Sequence, residues 1–176
     1  MSNQCEIRLS GSGGQGLILG GIILAEAALL QGKNAVQSQS YGPEARGGAS
    51  KAEVIISENE INYPKVRNCD ILLSLTQVAC DKYVENLKEN GILIIDSRVK
   101  APNRDDIKVY SLPILDTAYE KLKKPMVANI VALGVVREIT DIVNRETLEK
   151  AVLNRVPSGT EEINENALKE GFSLVK

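Results

Sequence analysis

No histidine and no tryptophan occur among the 176 residues, and phenylalanine occurs once. Without histidine, His-ligated zinc sites and imidazole acid–base catalysis are excluded outright. Aromatic residues make up only 3% of the chain, too few for the stacking platforms that grip single-stranded nucleic acid. The core must instead be built from Ile, Leu, Val and Ala. Basic charge is in short supply too: the formal net charge is -2, which leaves no positive footprint for DNA or RNA. Cys5, Cys69 and Cys80 stand too far apart in sequence for metal or iron–sulfur spacing. Three such thiols and no signal peptide point to a reducing cytoplasm. The longest apolar stretch, Leu17 to Ala25, is stopped by Glu26 and is too short to span a bilayer. Neither nucleic acid nor a membrane is an expected partner.

What is present is a chain of ordinary globular composition, 43% hydrophobic and 25% charged, long enough for a sizeable core. No internal repeat or linker divides it, so one domain over residues 1–176 is expected. Ile7 to Ser10 reads as a first strand and Leu17 to Gln31 as a helix apolar nearly all round, hence buried, with Gly32 in the place of a left-handed cap. Ala35 to Gln39 and Ala52 to Ser57 read as strands, with a turn at Glu58-Asn59-Glu60 leading to Ile61-Asn62-Tyr63. Ile71 to Leu75 and Ile92 to Asp96 are continuous apolar strands of the kind found inside parallel sheets. Between them Thr76 is placed to cap a helix over Gln77 to Lys88, ended by Asn90-Gly91. Val109 to Leu112 is a weaker strand. The last third reads as helices at Leu115–Lys123, Met126–Ile139, Glu146–Arg155 and Glu161–Lys169. Alternating strands and helices define an α/β fold, a three-layer α/β/α arrangement with a mostly parallel, Rossmann-like sheet and a helical C-terminal third.

Chemistry concentrates in two glycine-rich segments. The first, SGSGGQG from Ser10 to Gly16, satisfies G-x-G-x-x-G between a strand and a helix. Its glycines allow a tight turn and leave backbone N–H groups open at a helix N-terminus, where the dipole favours an anion. A dinucleotide fold further demands an acidic residue about 20 residues on, at the end of the second strand. That strand ends Val36-Gln37-Ser38-Gln39-Ser40, with no acid. No Gly-Lys-Ser/Thr follows the glycines either, so a phosphate-binding P-loop is excluded. NAD and ATP are poor ligands for this turn, and another anion is expected. The blander alternative is that the glycines only let helix and sheet pack closely. Gln15 favours function, since a polar amide between glycines adds little to packing and can hydrogen-bond a ligand or a facing backbone.

The second segment, Tyr41 to Gly48 (YGPEARGG), holds Tyr41, Glu44 and Arg46 on a backbone with three glycines and a proline. Taken alone it reads as a solvated loop with a weak Glu44–Arg46 surface pair. Loops after strands of a doubly wound sheet gather at its carboxyl edge, where ligands bind, so the end of the second strand places this loop beside the glycine turn. The MVANIVALGVV stretch from Met126 to Val136 reads as a core helix with a satisfied Asn129. Its small residues leave open a role as a subunit-facing helix. Cys69 and Cys80 read as packing residues.

GxGGQG followed about 25 residues later by YGPEARGG resembles the gamma subunit of the 2-oxoacid:ferredoxin oxidoreductases. The likeness continues through Ala52 to Ser57, Ile61-Asn62-Tyr63-Pro64 and Asn129 to Gly134, and the YGPEARGG form looks most like the 2-oxoglutarate branch. The resemblance implies an enzyme that oxidatively decarboxylates a 2-oxo acid, transfers the acyl group to coenzyme A and passes electrons to ferredoxin. It implies alpha, beta and ferredoxin-like partner subunits, with thiamine diphosphate and iron–sulfur clusters carried by those partners and an inactive isolated chain. It carries over Gly13, Gly14, Gln15, Gly16, Tyr41, Glu44, Arg46 and Gly47 as coenzyme A-binding or interface positions, with no catalytic residue and no metal ligand. Coenzyme A is a polyanion suited to a glycine turn, and Arg46 offers a forked donor to a phosphate or carboxylate. Three alternatives stay open: a free-standing anion- or nucleotide-binding module, the same subunit of a pyruvate or branched-chain enzyme, and a purely architectural subunit.

Overall fold

Branched aliphatic residues at successive positions sort themselves onto two faces. In Val54-Ile55-Ile56 and in Ile71-Leu72-Leu73 the outer members of each triplet join one apolar cluster and the middle member joins another, the two-residue period of a strand. The computed structural model describes residues 4–39 and 48–176. Its strands are β1 (Gln4–Ser12), β2 (Asn34–Gln39), β3 (Ala49–Ser57), β4 (Cys69–Ser74), β5 (Leu87–Asp96) and β6 (Lys108–Leu112). Together they form one sheet in the order β2-β3-β1-β4-β5-β6. The helices are α1 (Leu17–Leu30), α2 (Gln77–Tyr83), α3 (Ile114–Asp116), α4 (Ala128–Thr140), α5 (Arg145–Arg155) and α6 (Glu161–Leu174). Residues of α1, α4, α5 and α6 build the cluster on one face, and α2 covers the other with Ala79, Cys80 and Tyr83. The expected three-layer, mostly parallel architecture is therefore present.

Strand β3 departs from that plan. The β1–β4, β4–β5 and β5–β6 pairs are parallel, but β3 runs antiparallel to both β1 and β2. Strand β3, rather than β2, is thus the neighbour of β1. Ser12 pairs with Ala49, and Gln39 pairs with Ala52. The chain leaves β2 and enters β3 at the edge where β1 ends, so the juxtaposition expected of neighbouring parallel strands arises from a return of the chain instead.

Helix α1 has the expected bounds, with Gly32 at φ 86° behind it. It packs against the sheet and is overlaid by α5, whose Arg155 donates to Glu26 at 2.8 Å. A covering on both sides explains why its sequence is apolar nearly all round. Thr76 caps α2, its hydroxyl accepting from Ala79 N–H at 3.3 Å.

The helix expected over Gln77–Lys88 ends instead at Tyr83, followed by a 3₁₀ turn at Val84–Asn86. Leu87 is buried and pairs with Cys69, and the β4–β5 register then slips, so that Ile71 pairs with Ile92. The slip is absorbed where Asn90 takes φ 64° and donates its N–H to Asp106 O at 2.7 Å. A Cβ on Gly91 would lie 2.7 Å from Leu87 Cδ1. Asn90-Gly91 therefore makes a bulge inside a strand, not the end of a helix. The helix expected over Leu115–Lys123 starts at Ile114 and opens into a π turn at Thr117–Lys121.

Small residues on α4 serve an internal contact. A Cβ on Gly134 would stand 2.7 Å from Leu168 O, and one on Gly171 would stand 2.3 Å from Val131 O. The backbones of α4 and α6 touch only because both positions are glycine, so this face of α4 meets α6 and not a partner subunit.

Beneath α2 the sheet holds a buried ion pair that the composition does not advertise. Arg8 on β1 faces Glu53 on β3, with Nε and Nη2 donating to Glu53 Oε2 at 2.9 and 2.6 Å and Nη2 also to Val66 O at 3.1 Å. The Arg8 guanidinium lies 5.3 Å from the centroid of the Tyr83 ring. Removing one partner of a buried pair strands the other charge in a low-dielectric setting. The Glu53→Gln variant is accordingly expected to lose about 3–5 kcal/mol of stability in denaturant unfolding. A loss under about 1 kcal/mol would mean that the pair is screened like a surface one.

Candidate anion-binding site

Strand β1 runs out at Ser12, and the chain turns through Gly13, Gly14 and Gln15 into α1. Gly14 takes φ 87°, and Gly16, the cap residue of α1, takes φ 74° and ψ 24°. Both values lie in the left-handed region that side-chain-bearing residues avoid. No side chain caps α1, and no acidic residue sits in its first turn. Gly13 and Gly14 are exposed, and among the described residues the N–H groups of Gly13, Gly14 and Gly16 donate to nothing. An uncapped helix N-terminus with free N–H groups from an adjoining turn is a cradle for negative charge.

The shape of the turn is over-determined. Gln15 folds back so that Oε1 accepts from Ser12 N–H at 2.8 Å, while Gln15 N–H reaches Ser12 O at 3.4 Å. A Cβ on Gly11 would fall 2.3 Å from that same Oε1, so Gly11 makes room for the brace. Of the two roles open to Gln15 from sequence, the facing backbone is the partner its carbonyl takes. From the opposite side Asn129, the second residue of α4, donates Nδ2 to Gly16 O at 3.0 Å. Asn129 is only 5% exposed and is satisfied, as the core-helix reading holds, but the group it bonds belongs to the turn. A Cβ on Gly16 would lie 2.6 Å from Asn129 Nδ2.

Neighbouring strand ends complete the floor. Ser10 Oγ lies 2.8 Å from Leu73 O and 2.9 Å from Ser74 Oγ, all buried. Asp96, fully buried at the end of β5, accepts Leu115 N–H at 2.8 Å and Arg98 N–H at 2.9 Å. Both of its oxygens are thereby committed to backbone, which marks a structural carboxylate rather than a general base. An acid closing the buried strand ILIID is the sequence signal that could have singled it out. Tyr41, Glu44, Arg46 and Gly47 of the second segment lie outside the described residues, whereas Gly13, Gly14, Gln15 and Gly16 are brought together in the turn.

None of the thiols belongs to this site. Burial pushes Cys5 up to about 12 and Cys69 and Cys80 up to about 11, which keeps each protonated at neutral pH. Among the described residues no group of three or more His, Cys, Asp or Glu is placed to hold a metal ion. No helix among them is long and apolar enough to cross a membrane.

The described sheet edge thus pairs an α/β fold with an uncapped glycine turn of a shape suited to an anion, and β2 carries no acid at its end. Residues 6–174 match the family model described as pyruvate ferredoxin/flavodoxin oxidoreductase, and the chain belongs to that family. It is 50% identical to the 2-oxoglutarate synthase subunit KorC of Methanocaldococcus jannaschii, over 97% of this chain and 94% of that protein. Identity to the pyruvate synthase subunit PorC of Methanothermobacter thermautotrophicus is 28%, over 97% and 96% of the two chains. Among solved structures, the gamma subunit of keto/oxoacid ferredoxin oxidoreductase from Geobacter sulfurreducens superposes with a TM-score of 0.89 at 50% identity, over 97% of this chain and 95% of that one. The 2-oxoglutarate:ferredoxin oxidoreductase of Magnetococcus marinus, with 2-oxoglutarate, coenzyme A and succinyl-CoA bound, shares the fold at TM-score 0.89 and 19% identity, covering 99% of this chain and 31% of that one.

Two expectations test this geometry. Gly16→Ala combines a left-handed backbone with a clash against Asn129 and should destabilise the chain by about 1–3 kcal/mol. The loss should shrink in an Asn129→Ala background, and equal losses in both would assign the whole cost to the backbone. The thiols are expected to resist iodoacetamide at pH 8 until the chain is unfolded. Because the folded thiols stay protonated where unfolded ones ionise, stability should fall as pH rises above about 9, read as a declining melting temperature; rapid labelling of the folded chain would contradict the assignment.

Proposed function

We propose that this chain, as one domain over residues 1–176, is the gamma-type subunit of a 2-oxoglutarate:ferredoxin oxidoreductase and that it holds coenzyme A for a reaction centre on its partners. The observation that carries the reading is the uncapped start of α1, where the N–H groups of exposed Gly13 and Gly14 donate to nothing among the described residues. That arrangement suits the phosphates of coenzyme A. Gln15 and Gly16 hold the turn in shape. Tyr41, Glu44, Arg46 and Gly47 belong to a segment whose flanking strand residues, Gln39 and Ala49, are at the same edge, and Arg46 is the cation assigned to a phosphate.

The chemistry itself, oxidative decarboxylation of the 2-oxo acid to acyl-CoA with electrons passed to ferredoxin, belongs to alpha, beta and ferredoxin-like subunits carrying thiamine diphosphate and iron–sulfur clusters. The drop from 50% identity with a 2-oxoglutarate subunit to 28% with a pyruvate subunit favours 2-oxoglutarate over pyruvate. Full-length likeness to a subunit favours this reading over a free-standing binding module. Cytoplasmic location follows from the partners and the reduced thiols.

Purification from the native cell should recover the partner subunits with this chain. In that complex Arg46→Ala should raise KM for coenzyme A by about 10–100-fold, the equivalent of about 1.5–3 kcal/mol for a hydrogen bond to a charged group. A complex that falls apart while its remainder keeps normal kinetics would make the subunit purely architectural.

A further inference from the structure

Helix α1 lies across two strands. A Cβ on Gly21 would stand 3.1 Å from Ala52 Cβ on β3 and 3.6 Å from Gln37 Cγ on β2, so the helix runs above the gap between them. The sheet and α5 cover most of it, but one apolar stripe is left. Ile18, Ile22, Ala25 and Leu29 follow at intervals of four, three and four residues, which puts them on a single side of the helix. Leu29 is 56% exposed. Ile22, Ala25 and Leu29 wall an open groove of about 250 Å³ whose floor is Ala35 and Gln37 of β2.

Strand β2 is an edge, with no strand beyond it among the described residues. Proteins blunt such edges with a charge, a proline or a bulge, because unpaired strand groups are a template for another chain. Asn34–Gln39 holds no charge and no proline, and its register with β3 runs unbroken. The opposite edge, β6, begins with Lys108 and is followed by Pro113. Only the β2 edge therefore joins an unblunted strand to an apolar groove.

We propose that a second copy of this chain occupies this edge, β2 pairing antiparallel with its symmetry mate about a two-fold axis at Val36. The sheet then runs on through six strands from each copy. Strands stand about 4.8 Å apart, so a helix midway over β3 and β2 would lie about 10 Å from its mate. That is the ordinary distance between packed helices. The same axis sets Ile22 opposite Ala25 of the second copy and Leu29 opposite its Ile18, so the stripe closes on itself. Glu26 and Arg155, 2.8 Å apart at the rim of the groove, give each copy one charge of either sign there, and the two rims are complementary. A lone strand from another protein would complete the edge but leave the groove and Leu29 uncovered, whereas the second copy brings its own α1. Because the paired helices run antiparallel, the two glycine turns fall at opposite ends of a helix pair about 21 Å long and stay open. The pairing is independent of what the turn binds.

Sedimentation equilibrium on the full chain at micromolar concentration should give twice the chain mass of 19.1 kDa. Leu29→Glu changes an exposed side chain that the fold does not need, and it should raise the dimer dissociation constant about 30-fold or more. Val36→Cys sets two thiols across the axis, with α-carbons about 4.5–5.5 Å apart and so within disulfide reach. Diamide should convert that variant to a covalent dimer, both as the isolated chain and in the complex purified from the cell. Ser38→Cys, which meets Asn34 of the second copy, should give none. The pairing is overturned if the chain sediments as a monomer, if Leu29→Glu dimerises like the parent, or if Val36→Cys cross-links no better than Ser38→Cys. It is overturned equally if Leu29→Glu sheds a different subunit from the complex while the parent chain alone is monomeric, which would give the edge to that subunit.

Discussion

One hydrogen bond holds the working edge of this protein in register: Asn129 Nδ2 to the carbonyl of Gly16, across 113 residues of chain. It fixes the left-handed residue that starts α1, and it brings the start of α4 against the same turn. Only glycine can occupy position 16 on both counts, since a side chain would be strained by the backbone angle and would strike Asn129. Binding an extended polyanion depends on such preorganisation, because each group ordered only on binding subtracts from affinity.

The turn is stiff from the sheet side also. Gln15 and Gly11 interlock within it, while Ser10, Ser74 and Asp96 settle the ends of β1, β4 and β5 with buried hydrogen bonds. On the opposite face the Arg8–Glu53 pair ties β1 to β3. The central strand is thus anchored at its middle by charge and at its end by backbone geometry. No described side chain at this edge combines a nucleophile with a base.

Much of this was legible in the sequence, for identifiable reasons. Continuous apolar runs such as Ile71 to Leu75 announce strands buried on both faces. Leu17 to Gln31 followed by Gly32 announces a buried helix with its stop. The glycine turn declared itself by four glycines between a strand and a helix, and its pairing with YGPEARGG pointed to the family. What stayed hidden was non-local. The direction of β3 depends on where the chain returns, and the alternation in Ala52 to Ser57 is the same for either direction. Asn90-Gly91 reads as a helix stop because the same dipeptide serves a cap and a bulge. Arg8 and Glu53 look like surface charges until the register sets them opposite each other, and an apolar pocket between α1, α4 and α6 draws its walls from residues as far apart as Leu19 and Asn164.

The same contact bears on how the chain is made. β1, the glycine turn, α1, β2 and β3 emerge early from the ribosome and can pair among themselves within the first third of the sequence. Asn129 follows only after β6 and α3 have been synthesised, and until it arrives the Gly16 carbonyl has no side chain to hold it. A truncated or partly made chain would thus present a sheet without a finished edge. Completion of the glycine turn is therefore coupled to synthesis of the chain as far as the start of α4.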